Sequence, residues 1–128
     1  MIRFTILGQL YSMKNSRIYT GEGRKGGFVK HPKAQQFCQD FAKQCGPWAP
    51  VEPLWGDVCC QVVVHYPSRR QDLDCALVYD CLQANGFIAN DRQVKVKLEF
   101  WAVDPDNPRV EIALWPMGEK PTIEMALV

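Results

Sequence analysis

The chain has 128 residues, 47% of them apolar, and a formal net charge of +1. That length suits one domain with its own core, so residues 1–128 are expected to fold as a unit. No run approaches the roughly 18 consecutive apolar residues of a membrane span, and no basic-then-apolar leader opens the chain, so a cytoplasmic protein without membrane association is expected.

The first predicted element is the alternating "IRFTILG" (2–8), a strand ended by glycine. "SMKNSRIYTGEGRKGGFVKH" (12–31) is basic and glycine-rich, a long loop or irregular hairpin of the kind that often carries function. "HPKAQQFCQDFAKQCGP" (31–47) reads as a helix. Pro32 suits its first turn, Ala34, Phe37, Cys38, Phe41, Ala42 and Cys45 recur at helical spacing, and Gly46-Pro47 stops it.

A proline-rich connection (48–56) leads to "DVCCQVVVHYP" (57–67), a β-branched run that predicts a buried strand. "LDCALVYDCLQANG" (73–86) predicts a second helix, apolar on two sides and capped by Gly86. "RQVKVKLEFWAV" (92–103) and "RVEIALW" (109–115) alternate around the turn "DPDNP", which predicts an antiparallel hairpin over 92–115. The sum is an α+β domain with a small mixed β-sheet and two main helices.

Six cysteines and no leader favour buried free thiols over disulfides. A zinc site lacks the usual C-x-x-C, and Cys59 and Cys60 point to opposite faces of a strand. Charge is distributed unevenly. Residues 1–70 hold ten Lys/Arg against four Asp/Glu, a net of +6, whereas residues 71–128 hold five against ten, a net of −5. A basic surface beside an acidic site would attract polyanions, although scattered solvated charge gives the same sums.

The acids that stand out are Asp72, Asp74 and Asp91 in "SRRQDLDCALVYDCLQANGFIANDRQV" (68–94). In an extended segment Asp72 and Asp74 share one side while Leu73 turns into the core. In a helix the pair would diverge by about 200°. A strand-to-helix junction with Asp72 near the cap is therefore expected. Asp91, at the far end of the helix, is expected to return beside the pair if the next strand runs back along the first. Three converging carboxylates call for a hard divalent cation, Mg²⁺ above all, that bridges to phosphate, and Arg69 and Arg70 just upstream suit a phosphate backbone. The plainer alternative makes Asp72 a helix cap and Asp91 a turn residue.

This stretch resembles the signature of the RusA-type Holliday-junction resolvases. Basic residues end a strand, D-L-D follows, then a helix with a glycine near its end, then D-x-Q-V. "SMKNSRIY" and "GFVKHPKAQQFCQDF" resemble the segments that precede it, so the likeness covers most of residues 5–114 in order. The resemblance implies a RusA-like fold and a homodimeric, Mg²⁺-dependent endonuclease, with Mn²⁺ as a substitute. Such a bacterial or phage-borne enzyme acts in recombination and repair, nicking four-way DNA junctions symmetrically. It implies Asp72, Asp74 and Asp91 as metal-binding catalytic residues, and DNA contact by Lys14, Asn15 and Arg17 beside Arg69 and Arg70. Two departures stand out. Cys75 replaces the asparagine after the second aspartate. The family's catalytic lysine has no counterpart near Leu77, Val78 and Tyr79, leaving Arg69, Arg70, Lys14 or Arg92 as substitutes. A non-catalytic or weakly active branched-DNA-binding protein of the same fold is the alternative.

Six other residues carry open readings. Asp80 suits a supporting acid or a bond to a loop amide, and His65 a base or a packed strand residue. Trp101 and Trp115 suit an interface or the cover of a helix. Tyr19 and Phe28, among basic residues, suit base stacking or anchoring of their loop.

Overall fold

A computed structural model describes residues 1–12, 17–19, 28–30 and 32–118, the two three-residue segments by backbone alone. In chain order the elements are β1 (Ile2–Leu7), β2 (Arg17–Tyr19), β3 (Phe28–Lys30), α1 (Pro32–Gln44), β4 (Val58–Tyr66), α2 (Ala76–Ala84), β5 (Val94–Val103) and β6 (Arg109–Pro116). Short 3-10 turns at Gly46–Trp48 and Asp91–Gln93 complete them. β2 and β3 form a separate antiparallel pair within the basic segment, the rest of which lies outside the described residues apart from Ser12.

The main sheet is mixed, in the order β1-β6-β4-β5. β4 pairs antiparallel with β6 and parallel with β5, and β1 closes the other edge against β6. The predicted 92–115 hairpin is therefore not formed: β5 and β6 flank β4 on opposite sides. The cause lies in β4, all nine of whose residues are buried. A strand apolar on both faces needs a neighbour on each edge. α2 is the crossover that a parallel neighbour requires, and β6 takes the edge that remains.

Both helices cover one face of this sheet. Val58, Cys60, Val62, Val64 and Tyr66 of β4 meet Phe37 and Phe41 of α1 and Leu77, Val78, Cys81 and Leu82 of α2 in the main core. α2 is apolar on two sides because it packs on the sheet and also on α1, where the Cys81 and Cys38 sulfurs lie 3.6 Å apart. All six cysteines are free thiols, and five are buried. The other face holds a smaller cluster of Cys59, Ala113 and Trp115, with Val96 and Leu98 against it.

β5 keeps its predicted alternation only from Val96 onward. A register shift at Val58/Cys59 makes Lys95 an extra residue, so Val94 turns to the helix side while Val96 and Leu98 turn away. Lys97, Glu99 and Trp101 consequently face α2. The Tyr79 hydroxyl donates to Glu99 at 2.6 Å, and Lys97 Nζ stands 4.4 Å from the Tyr79 ring centroid.

α2 begins later than the pattern predicts, at Ala76, and Leu73 is 36% exposed rather than in the core. The interior is filled by Cys75 and Leu77, leaving Leu73 on the outside of the connecting segment. Gly86 closes the helix as predicted, at φ +78°. The Phe87 N–H bonds Leu82 O and the Gly86 N–H bonds Gln83 O, a double closure that throws Phe87 into the core. There Phe87 stacks on Phe4 with centroids 4.9 Å apart and meets Phe41 edge-on. Phe87→Ala should cost about 3–5 kcal/mol in denaturant unfolding, whereas Leu73→Ala should cost under about 1 kcal/mol.

Candidate functional site

β4 ends at Tyr66, whose ring is buried but whose hydroxyl reaches the next segment. That hydroxyl donates to Asp72 O at 3.0 Å and accepts from the Asp74 N–H at 3.3 Å. One phenol thus clamps both ends of Asp72-Leu73-Asp74. Burial pushes its pKa up to about 12, keeping the donor proton in place.

Asp74, rather than Asp72, holds the start of α2: it precedes the N-cap Cys75, and its Oδ1 accepts from the Ala76 N–H at 3.1 Å. Its Oδ2 accepts from Ser12 Oγ at 2.8 Å, which ties the chain after β1 to the start of α2. Asp72 and Asp74 share one cleft of about 730 Å³ with Ser12, Tyr66, Arg70 and Gln71. The pair lines one cleft between β4 and α2, but Leu73 lines it as well instead of turning into the core.

The loop before the pair is held from β5. Trp101 Nε1 donates to Gln71 O at 2.9 Å, and the Arg69 guanidinium lies 5.5 Å from the Trp101 ring centroid. Ser68 Oγ donates to Gln71 and accepts from the Arg70 N–H. Trp101 is therefore a brace for the loop carrying Arg69, Arg70 and Asp72. Sequence reading missed this role and that of Ser12, because each depends on a long-range contact, and that of Tyr66, because its bonds go to backbone groups six and eight residues on. The one available signal was that Trp101 shares a β5 face with Lys97 and Glu99, away from Val96 and Leu98.

Asp91 does not join Asp72 and Asp74 in this structure. β5 runs parallel to β4 with Val94 beside Val58, so Asp91 lies at the start of β4, whereas the pair follows its end. Eight residue steps along β4 at about 3.3 Å span roughly 26 Å. Asp91 opens a 3-10 turn capped by Asn90, donates its N–H to Gln83 Oε1, and lines a separate depression with Asp80, Gln83 and Arg92. Among the described residues no group of three or more His, Cys, Asp or Glu side chains is placed to share a metal ion. The cleft offers two carboxylates of the three; within one chain the trio does not fit a single cation.

The remaining candidates fall as follows. Lys14 and Asn15 lie outside the described residues, as do Arg24 and Lys25. Arg17, Tyr19, Phe28 and Lys30 are described by backbone only, on β2 and β3. Arg69 and Arg70 are exposed beside the cleft. Arg92 and Asp80 sit with Asp91. His65 is 1% exposed and faces away from the helices, with Nε2 3.3 Å from a Glu111 oxygen, so it belongs to the packed reading. Trp115 is buried in the small outer cluster. Leu77, Val78 and Tyr79, where the lysine was sought, are all buried. Cys75 is buried too, and desolvation holds its thiol neutral, so it acts as packing beneath Asp74.

Compared with models of known protein families the chain matches none, and no curated protein matches it.

Tyr66→Phe removes both hydroxyl bonds at once. It should cost about 1–2 kcal/mol and accelerate hydrogen exchange at the Asp74 amide. The alkaline arm of stability should change as well. Tyr66 is raised from 10.0 to about 12, so its contribution is complete below pH 10 and lost as pH rises through 12. In Tyr66→Phe that part disappears, leaving the loss due to the Cys45, Cys60 and Cys75 thiols and the Tyr79 hydroxyl, all raised chiefly by burial, which begins near pH 9. Denaturant unfolding from pH 8 to 12 checks this.

Proposed function

We propose that this chain is a structure-selective DNA endonuclease of the junction-resolving type, acting as a homodimer on four-way junctions with Mg²⁺, or Mn²⁺ in its place. The observation that carries this reading is the cleft at the end of β4, which places Asp72, Asp74 and Arg70 around one opening. Carboxylates suited to a hard cation and a guanidinium suited to phosphate stand together there. The ordered likeness to the resolvases supports the same assignment.

Each side chain has a task under this reading. Arg70 and Arg69 pair with the phosphodiester backbone, and Trp101 holds Arg69 by its ring. Lys14, Asn15 and Arg17 extend the basic track. Asp72 and Asp74 are the cleft's cation ligands, and Asp74 also anchors Ser12 and the first turn of α2. A bacterial or phage-encoded protein of the cytoplasm fits this activity, and among the described residues no helix is long and apolar enough to cross a membrane.

A second reading, a non-catalytic branched-DNA-binding protein, is favoured by one observation. Both Asp74 oxygens already accept hydrogen bonds, so the carboxylate has a structural task without any metal.

Purified protein with a labelled four-way junction and Mg²⁺ separates the two. The endonuclease reading expects paired nicks, and Asp74→Asn, which keeps the Oδ1 acceptor, should lower cleavage at least about 100-fold while binding persists. Salt-sensitive binding with no nicking under either metal would establish the second reading instead. Arg70→Ala should weaken junction binding similarly across sequences and reduce the slope of log K against log salt by about 1.

A further inference from the structure

α1 and α2 meet at a pair of sulfurs. Cys81 is 2% exposed and belongs to the main core, and Cys38 packs against that core from α1. Their Sγ atoms lie 3.6 Å apart, with the Cys81 thiol directed at Cys38. A disulfide holds its sulfurs about 2.05 Å apart, so the two atoms stand roughly 1.5 Å short of bonding. Side-chain rotation and a small shift between packed helices supply a movement of that size.

The thiols outside this pair are shut away. Cys45, Cys59, Cys60 and Cys75 are buried, and burial raises the thiols of Cys45, Cys60 and Cys75, which disfavours the thiolate that oxidants attack. Cys38 is only partly buried. Of the six thiols, the one that an oxidant in solution reaches is therefore the one with a second thiol at its side. Such a neighbour traps an oxidised sulfur as a disulfide before it advances to irreversible acids. The two helices also frame the cleft. Asp74 holds the start of α2, and Gln9 and Tyr11 line both the cleft and a depression of about 150 Å³ against Lys33, Gln36 and Asp40 of α1. A bond between the helices stiffens both walls at once.

We infer that Cys38 and Cys81 form a redox pair, which a peroxide closes into a disulfide that pins α1 to α2. The Cys38 thiol gives up its proton, and its sulfur attacks one oxygen of hydrogen peroxide. The O–O bond breaks, and the departing hydroxide takes a proton and leaves as water. The Cys81 sulfur then attacks the resulting Cys38 sulfenic acid: the S–S bond forms, the S–O bond breaks, and a second water leaves. Two thiols and one hydrogen peroxide thus give one disulfide and two waters, the sulfurs oxidised and the peroxide reduced. A dithiol reverses the step by attack at Cys38, the more open sulfur, which expels Cys81. The pair lies outside the proposed nuclease chemistry and does not rest on it.

The test treats the whole native chain with hydrogen peroxide, then blocks, counts and maps its thiols by mass spectrometry after denaturation. Thiols should fall from six to four, the intact mass should lose two hydrogens, and one peptide pair should hold Cys38 joined to Cys81. Dithiothreitol should restore all six. The bond closes a loop over 43 sequence positions, so the oxidised protein should melt at least about 5 °C above the reduced one. Cys38→Ser, changed at the partly exposed position, should keep every remaining thiol under the same peroxide. Cys81→Ala should instead accumulate a Cys38 sulfenic acid that dimedone traps. If Cys81→Ala fails to fold, the native peptide map and Cys38→Ser decide the matter. Peroxide that leaves all six thiols, stops at an oxygen acid of Cys38 with Cys81 still reduced, or joins any other pair overturns the inference. So does a Cys38–Cys81 bond that leaves the melting temperature unchanged or lowers it, because the helices are then not pinned in their native arrangement.

Discussion

The parallel pairing of β4 with β5 is the constraint from which the rest follows. β4 is buried along its whole length and needs partners on both edges. A parallel partner needs a crossover, and α2 supplies it. The crossover carries the chain back to the start of β4, fixing what can meet at the end of β4. Among the described residues the cleft there is lined by the exit of β4, the start of α2 and the chain after β1.

Within that frame a few polar contacts set the cleft's shape. Tyr66 clamps the Asp72-Leu73-Asp74 segment from below, Ser12 fastens Asp74 from the side, and Trp101 reaches from β5 to Gln71. These bonds cross 6, 8, 62 and 30 residues of sequence. The cleft is thus a tertiary feature, and it should loosen whenever the β5 edge or the β1 exit does. The bulge at Lys95 matters to the same end, since it turns Lys97, Glu99 and Trp101 toward α2 and the loop.

Local chemistry was legible in the sequence, and partnership was not. The glycine after α2, the proline at the start of α1, the β-branched run of β4 and the D-x-D junction each follow from a residue's own conformational preference. The hairpin over 92–115 did not form, because a turn such as "DPDNP" reports only that the chain reverses. Which strand lies beside it depends on β4, more than 25 residues earlier. Asp91 was misplaced for the same reason: a helix followed by a strand leaves the strand's direction open, and direction decides whether an acid returns. Leu73 illustrates a smaller effect. Alternation put it inside, but Cys75 and Leu77 fill that space once Asp74 starts the helix.

Asp74 joins the structural and functional readings of the same letters. A carboxylate at a helix start is favoured by the unpaired N–H groups there, with no metal required. Its Oδ1 accepts from the Ala76 N–H and its Oδ2 from Ser12 Oγ. The bonds hold the carboxylate in one orientation, which lowers the ordering cost of any ion that binds it. Asp72, tied among the described residues through its backbone carbonyl to Tyr66, has no such side-chain bond there. A site with one fixed and one adaptable carboxylate needs a further ligand to define its geometry. In this fold that ligand has to come from outside the segment between β4 and α2.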